Sequence, residues 1–330
     1  MARISLAQGM GLARKGIANY VMNRPIVVSY EVTLSCNCNC HHCDLGGMKK
    51  DEKQITPQEY GDITRRLKPL AAQISGGEPL LRKDIADIVK AIRGAGAQYV
   101  VLVSNGALLN ESNYVQLRGA GVTQFSVSLD FPDERHDEFR RRPGLYERLD
   151  QTLPRLARFG FHDVILNTAI TSANLREILP LARNAAQWGV DISYSAYTPL
   201  RTGDRSYCLD SGEDLTFLRQ AIDELIALTK HDMHLTNPVL TLRDTLRFFE
   251  EGSMPNCKAG VKFLVVMPDG SLVPCSLHRN KYSTREEMMQ EFSRNNTCGD
   301  CYVAIRSYSE MSFLGQMKNL PTYMRQALFR

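Results

Sequence analysis

Apolar residues along this chain recur in two rhythms. Short, nearly continuous apolar runs occur at Ile26–Leu34, Ala72–Ser75, Tyr99–Val103, Gln124–Leu129, Asp163–Thr168 and Asp191–Tyr197. Such runs predict parallel strands buried on both faces. The longer stretches between them predict helices. Thr56-Pro57-Gln58-Glu59 reads as a helix start, with Thr as cap, Pro at the first helical position and Glu three after the cap. Gly96, Gly121, Gly160 and Gly189 each fall between a helix-like stretch and a strand-like one, where a helix end favours glycine. Six strand–helix units in series predict a parallel α/β fold. Six fall short of the eight in a closed barrel, so an open partial barrel and a doubly wound sheet both fit.

After Tyr197 the rhythm changes. Thr198–Gly212 is a polar loop, Asp214–Thr229 and Leu240–Glu251 look helical, and Gly252–Pro255 breaks the chain. Lys262–Met267 and Ser271–Cys275 flank Pro268-Asp269-Gly270, a hairpin signal. A second, smaller domain is expected at 256–330. It follows a first domain at 25–205 and a helical linker at 206–255. Residues 2–22 have helix-compatible composition, with Ile4, Leu6, Met10, Ile17 and Val21 as candidate core positions.

Charge narrows the partners. The 330 residues hold 40 Lys and Arg against 36 Asp and Glu, a net charge of +4. Arg3, Arg14, Lys15 and Arg24 lie in residues 1–30 with no acid, so the remainder is neutral. An extended nucleic-acid surface is therefore not expected. Residues 1–24 form a basic amphipathic leader. It packs on the main domain, or it makes peripheral contact with an anionic membrane through residues 1–22. The longest apolar run is five residues, too short for a transmembrane helix. Residues 1–24 lack the apolar region of a signal peptide, and a cytoplasmic location is expected.

Eight of the nine cysteines fall into two groups. Cys36, Cys38, Cys40 and Cys43 follow the first strand in a loop; Cys257, Cys275, Cys298 and Cys301 lie near the other end. Clusters of this kind point to metal rather than to a disulfide scaffold. Three thiolates spaced Cys36-x3-Cys40-x2-Cys43 can hold three irons of a cubane and leave the fourth open. Zinc is the alternative, with Cys38 or His41 as fourth ligand. The second group supplies four ligands and closes its site, which suits a structural zinc or a fully ligated iron–sulfur cluster.

The Cys-x3-Cys-x2-Cys loop, Ser75-Gly76-Gly77-Glu78-Pro79 at the end of strand two, Val103-Ser104-Asn105-Gly106 after strand three and Ser126-Val127-Ser128-Leu129-Asp130 after strand four resemble the radical SAM superfamily. The resemblance runs from roughly Val27 to Tyr197. His136-Asp137, Arg140 and Pro143-Gly144 resemble its branch of molybdopterin-precursor and peptide-modifying enzymes. It implies a partial (β/α)6 TIM-like barrel with a small C-terminal hairpin-containing iron–sulfur domain. Cys36, Cys40 and Cys43 would hold a [4Fe-4S] cluster. His42, Gly76, Gly77, Glu78, Pro79, Ser104, Asn105, Ser128, Asp130 and Asn167 would line S-adenosylmethionine (SAM), and Tyr194 and Tyr197 are candidates for the substrate side. His42 departs from the aromatic residue usual before the third cysteine, and Cys38 is off the pattern. Cys208 is expected to be incidental.

Cys257, Gly270-x4-Cys275 and Cys298-x2-Cys301 resemble the twitch form of the SPASM domain, which carries one auxiliary [4Fe-4S] cluster. The implied activity is reductive cleavage of SAM to a 5′-deoxyadenosyl radical, hydrogen abstraction from the substrate, and oxidation of the substrate radical through the auxiliary cluster. That is an oxidoreductase of the dehydrogenase kind, served by an electron donor such as flavodoxin or ferredoxin. The substrate is an unidentified small molecule, peptide or lipid. Peptide maturases often carry a leader-binding domain before the barrel, and the 24 residues here are too short for one unless a separate partner binds the leader. A double zinc scaffold is the non-enzymatic alternative.

Overall fold

The computed structural model describes residues 6–229 and 234–310. Helix α1 (Leu6–Val21) precedes a repeating series: β1 (Val27–Glu31), α2 (Pro57–Leu67), β2 (Ala71–Ser75), α3 (Ile85–Gly94), β3 (Tyr99–Ser104), α4 (Glu111–Ala120), β4 (Gln124–Ser128), α5 (Arg135–Arg140), α6 (Leu145–Ala157), β5 (Val164–Ile170), α7 (Ile178–Trp188) and β6 (Asp191–Ala196). Two helices, α8 (Gly212–Leu228) and α9 (Val239–Glu251), lead to β7 (Phe263–Val266), β8 (Leu272–Val273), α10 (Arg285–Glu291) and α11 (Ala304–Ser309). The helix start read at Thr56 is a full capping box: Thr56 Oγ1 accepts from the Glu59 amide, and Glu59 reaches back to the Thr56 amide at 2.7 Å.

One eight-stranded sheet runs in the order β6-β5-β4-β3-β2-β1-β7-β8. Strands β1 to β6 are parallel neighbours in sequence order, an open partial barrel of six β/α units. Alternation along the strands sorts the residues. Val28, Tyr30, Ile74, Leu102, Phe125, Val127, Leu166, Ile192 and Tyr194 join helix residues Ile88, Ile92, Leu117, Leu149 and Leu181 in the main core. Fully burying an aliphatic side chain of this kind contributes about 1.5–3 kcal/mol. The alternate row, Ser29, Glu31, Gln73, Ser75, Ser126, Ser128, Asn167, Ser193 and Ser195, is polar and faces the side away from those helices.

The hairpin expected in the second domain is hydrogen-bonded into the barrel sheet. β7 lies parallel to β1, with Val27 opposite Phe263 and Tyr30 opposite Val266, and β8 returns antiparallel. At the opposite edge, Ala196 of β6 packs with Phe248 and Tyr302, and Thr198 Oγ1 donates to the Asp300 carbonyl at 2.8 Å. Residues 263–302 therefore link the β1 edge of the open sheet to its β6 edge.

Helix α1 is tied to the barrel. Asn19 Nδ2 donates to the Pro25 and Lys68 carbonyls at 2.7 and 3.0 Å. Its other face leaves Met10, Ile17 and Val21 exposed, so these three positions are not core; Ile4 lies outside the described residues. Among the described residues no helix is long and apolar enough to cross a membrane.

Candidate active site

The loop after β1 carries the first cysteines and is held from three sides. The Cys36 amide donates to Gly47 O at 2.9 Å, and the amides of Asn39 and His41 donate to Arg140 O and Phe139 O. From β2, Gly77 N donates to Thr33 O at 2.7 Å and Glu78 N to Ser35 O at 2.8 Å. A Cβ built on Gly76 would stand 2.1 Å from Thr33 O, and one on Gly77 would stand 2.0 Å from Ser35 O. The close approach that these glycines permit is thus to the cysteine loop itself.

Each thiol of the three-cysteine set meets nitrogen donors. Cys36 Sγ lies 3.4 Å from the Cys38 amide and 3.7 Å from Asn105 Nδ2. Cys40 Sγ lies 3.8 Å from Arg140 Nη1, and Cys43 Sγ lies 3.5 Å from the Leu45 amide. Cys38 is buried between two of them. Hydrogen bonding with Cys38 lowers Cys36 and Cys40 below the ordinary thiol range and raises Cys38 itself. Burial raises Cys43.

Around the loop lie buried polar atoms without partners: Asp130 Oδ1, His42 Nδ1, His136 Nε2 and Asn37 Nδ2. Arg140 Nε donates to Asp130 Oδ2 at 2.6 Å, with Asp130 fully buried. Burial pushes the Asp130 carboxyl up, but the charge and hydrogen bond of Arg140, with smaller effects of His42 and His136, together hold the pKa below its ordinary value. Burial pushes His42 down to about 4 and His136 to about 3, so both imidazoles are neutral. His42 stacks on Phe139, with centroids 4.7 Å apart and planes at 11°; that ring covers one of its faces. The lowered Cys36 and Cys40 thiols, N–H donors aimed at sulfur and unpaired buried donors and acceptors suit a metal–sulfur group with a polar ligand beside it.

The residues expected to line SAM divide. Glu78 is fully buried and accepts from Ser104 Oγ at 2.9 Å, Asn105 N at 2.8 Å and Leu80 N at 3.1 Å. Burial lifts its pKa to about 7. Pro79 starts the single turn after it. Ser128 and Asn167 are neighbours in register on the polar face of β4 and β5. Tyr194 is a correction: its hydroxyl donates to Ile178 O of α7 at 2.6 Å and its ring belongs to the helix-facing core, which takes it off the substrate side. Tyr197 donates to Asp204 O at 2.9 Å, which secures the loop after β6. Cys208 lies in that loop, with its amide on Arg205 O.

Cys257 and Cys275 pack with Ala259 and Phe263, and Cys298 borders the same cluster. Burial raises Cys257 to about 12, Cys275 to about 11 and Cys301 to about 12, each also feeling at least one other thiol of the set. Such thiols ionise only when a cation offsets the burial. The fully buried Arg306 ties their chain segments together. It donates to Cys301 O and Met254 O, each at 2.5 Å, to Pro255 O at 2.9 Å and to Glu310 Oε2 at 2.8 Å. Among the described residues no three His, Cys, Asp or Glu side chains converge on a single-ion site.

Residues 30–185, the span of the cysteine loop and the strand-end turns just described, match the family described as the radical SAM superfamily. These residues form a radical SAM domain. Among curated relatives is an AdoMet-dependent heme synthase of Methanosarcina barkeri, 35% identical over 195 residues, covering 56% of this chain and 54% of the relative. Another is a probable GTP 3′,8-cyclase of Methanothermobacter marburgensis, 28% identical over 284 residues, covering 80% and 89%. The chain spans about half the length of the heme synthases it matches. The fold is shared with the crystal structure of Streptococcus suis SuiB bound to precursor peptide SuiA, at a TM-score of 0.64 and 17% identity, covering 88% of this chain and 71% of that one. The superfamily implies SAM and a [4Fe-4S] cluster.

Sequence reasoning missed Glu31, a buried carboxylate on the polar face with Oε2 unpaired, and the arginines Arg201 and Arg279. The alternation of Ser29 and Glu31 with Val28 and Tyr30 was the available signal for Glu31.

Proposed function

We propose that this radical SAM enzyme oxidises its substrate by two electrons. Cys36, Cys40 and Cys43 hold the cluster that binds SAM, and Cys257, Cys275, Cys298 and Cys301 hold a second, closed cluster. When bound, the first group supplies a hydrogen-abstracting 5′-deoxyadenosyl radical and the second supplies an acceptor for the electron left on the substrate. The chain's own part is placement. Cys38 poises two thiols for ligation, the Asp130–Arg140 pair sets a cation beside Cys40, and Arg306 fixes the segments bearing Cys257 and Cys301. The observation that carries the reading is the second thiol set. Cys257, Cys275 and Cys298 gather beside Phe263 of β7, and the charge of Cys301 is felt at Cys257; ligation by all four would leave no open position for a substrate.

The substrate class rests on less. A ribosomal peptide is supported by the fold shared with peptide-bound SuiB, and no observation favours a lipid. The test is product stoichiometry with candidate substrates carrying deuterium. The reading expects deuterium in 5′-deoxyadenosine and one product, lighter by two hydrogens, per SAM consumed. A product at the substrate's own oxidation level would refute it.

A further inference from the structure

We infer that Arg201 and Arg279 form a clamp for an anionic group of the substrate, a carboxylate or a phosphate, beside Cys43. The inference deepens the oxidative reading and rests on it for what the clamp holds. Arg201 lies in the loop after β6, and Arg279 lies in the loop that follows Cys275. Their guanidiniums meet at one carboxylate. Arg201 Nε donates to Asp44 Oδ1 at 2.8 Å, and Arg279 Nη2 stands 3.9 Å from the same oxygen. Among the described residues Asp44 is the one acid paired with either, so two cations share one anion.

The second observation concerns the Nη2 atoms of both arginines, that of Arg279 being the atom 3.9 Å from Asp44 Oδ1 and beyond hydrogen-bond reach of it. Arg201 Nη2 and Arg279 Nη2 are both shielded from solvent and have no hydrogen-bond partner. A buried polar group left unpaired carries a desolvation cost, and a larger one when charged. Two such donors at one spot, with a positive charge in excess, are set for an acceptor that the described residues do not supply. The planar fork of arginine matches a carboxylate or a phosphate with two parallel bonds.

The location gives the clamp its use. Asp44 directly follows Cys43, and the charge of Arg201 is felt at both Cys43 and His42. One arginine thus comes from the barrel mouth and one from the loop of the second cysteine set. A substrate anion gripped by both is fixed relative to both sets, which is what hydrogen abstraction at one and electron loss to the other require.

The test is calorimetric titration of inorganic phosphate and of N-acetylglycine into the reconstituted holoenzyme under anaerobic conditions. SAM is saturating and ionic strength is held with chloride. One probe is expected to bind about tenfold or more above chloride, and Arg201→Gln and Arg279→Gln are each expected to weaken it about tenfold or more. Arg279→Lys should recover part of the loss. Iron and sulfide contents of the variants serve as the folding control. Selective phosphate binding supports a phosphorylated substrate; selective N-acetylglycine binding supports a carboxylate. The clamp is overturned if neither probe exceeds chloride, if both glutamine variants bind as the parent does, or if binding disappears once SAM is present, since the acceptor would then be SAM's own carboxylate. Loss of the clamp in protein that carries both clusters leaves the oxidative reading standing. Retention of the clamp in protein shown to hold one cluster overturns the oxidative reading alone.

Discussion

Gly77→Ala places a methyl group where the chain has backbone. Its Cβ would lie 2.0 Å from Ser35 O, 2.5 Å from Ser35 C and 2.9 Å from Leu34 O. None of these is the far end of a flexible side chain, so the turn and the cysteine loop must separate by about 1 Å or more to regain van der Waals distance. That separation breaks Gly77 N to Thr33 O and Glu78 N to Ser35 O, the 2.7 and 2.8 Å bonds that join the two segments. Each is worth about 0.5–1.5 kcal/mol. With overpacking added, the loss is about 2–6 kcal/mol. Cys36 directly follows Ser35, so the same shift displaces the first ligand. The assay is thermal unfolding of the apoprotein together with iron content after reconstitution. Gly119→Ala in α4 is the control. No atom lies within 4 Å of its Cβ, and the helix should gain about 0.5–1 kcal/mol. A Gly77→Ala protein that melts and loads iron as the parent does would refute the view that this turn clamps the cysteine loop.

Other predictions follow from buried charge. Burial lifts Glu78 to about 7, so its stabilising contribution is whole below the unfolded value near 4.5 and is lost as pH climbs through about 7, about 3 kcal/mol in all. Melting temperature against pH should show this slope in the parent apoprotein and lose it in Glu78→Gln; an unchanged slope would contradict the assignment. Asp130→Asn removes the charge partner of Arg140 and should cost about 3–5 kcal/mol in denaturant unfolding. Because the Asp130 pKa is depressed, its contribution is present above the unfolded value near 4 and fades as pH falls below it. Arg306→Ala should cost about 3–5 kcal/mol and lower iron at the second set while leaving the first loaded, read from iron and sulfide analysis.

The barrel was legible because its signals are local. Six apolar runs, a capping box at Thr56 and glycines such as Gly189, which sits at φ 69° at the end of α7, each act within a few residues. The cysteine spacing was legible for the same reason. The attachment of β7 to β1 was not, because pairing Val27 with Phe263 leaves no short-range trace. Its one clue was the unbroken run Phe263–Met267, the mark of a strand covered on both faces. Tyr194 was misplaced although Ile192, Tyr194 and Ala196 alternate with Ser193 and Ser195, a period-two pattern that assigns the tyrosine to the helix-facing core. The meeting of Arg201 with Arg279 at Asp44 depends on three distant loops and had no sequence signal.

The central claim is that one chain carries an open cluster and a closed one. Electron paramagnetic resonance of the dithionite-reduced, reconstituted protein, with and without SAM, tests it most directly. The account predicts about eight irons per chain and two signals. SAM alters one signal, which is absent from a Cys36→Ala, Cys40→Ala, Cys43→Ala protein. The other is indifferent to SAM and absent from a Cys257→Ala, Cys275→Ala protein. One signal from about four irons per chain, or a SAM effect on the signal that depends on Cys257 and Cys275, would contradict it.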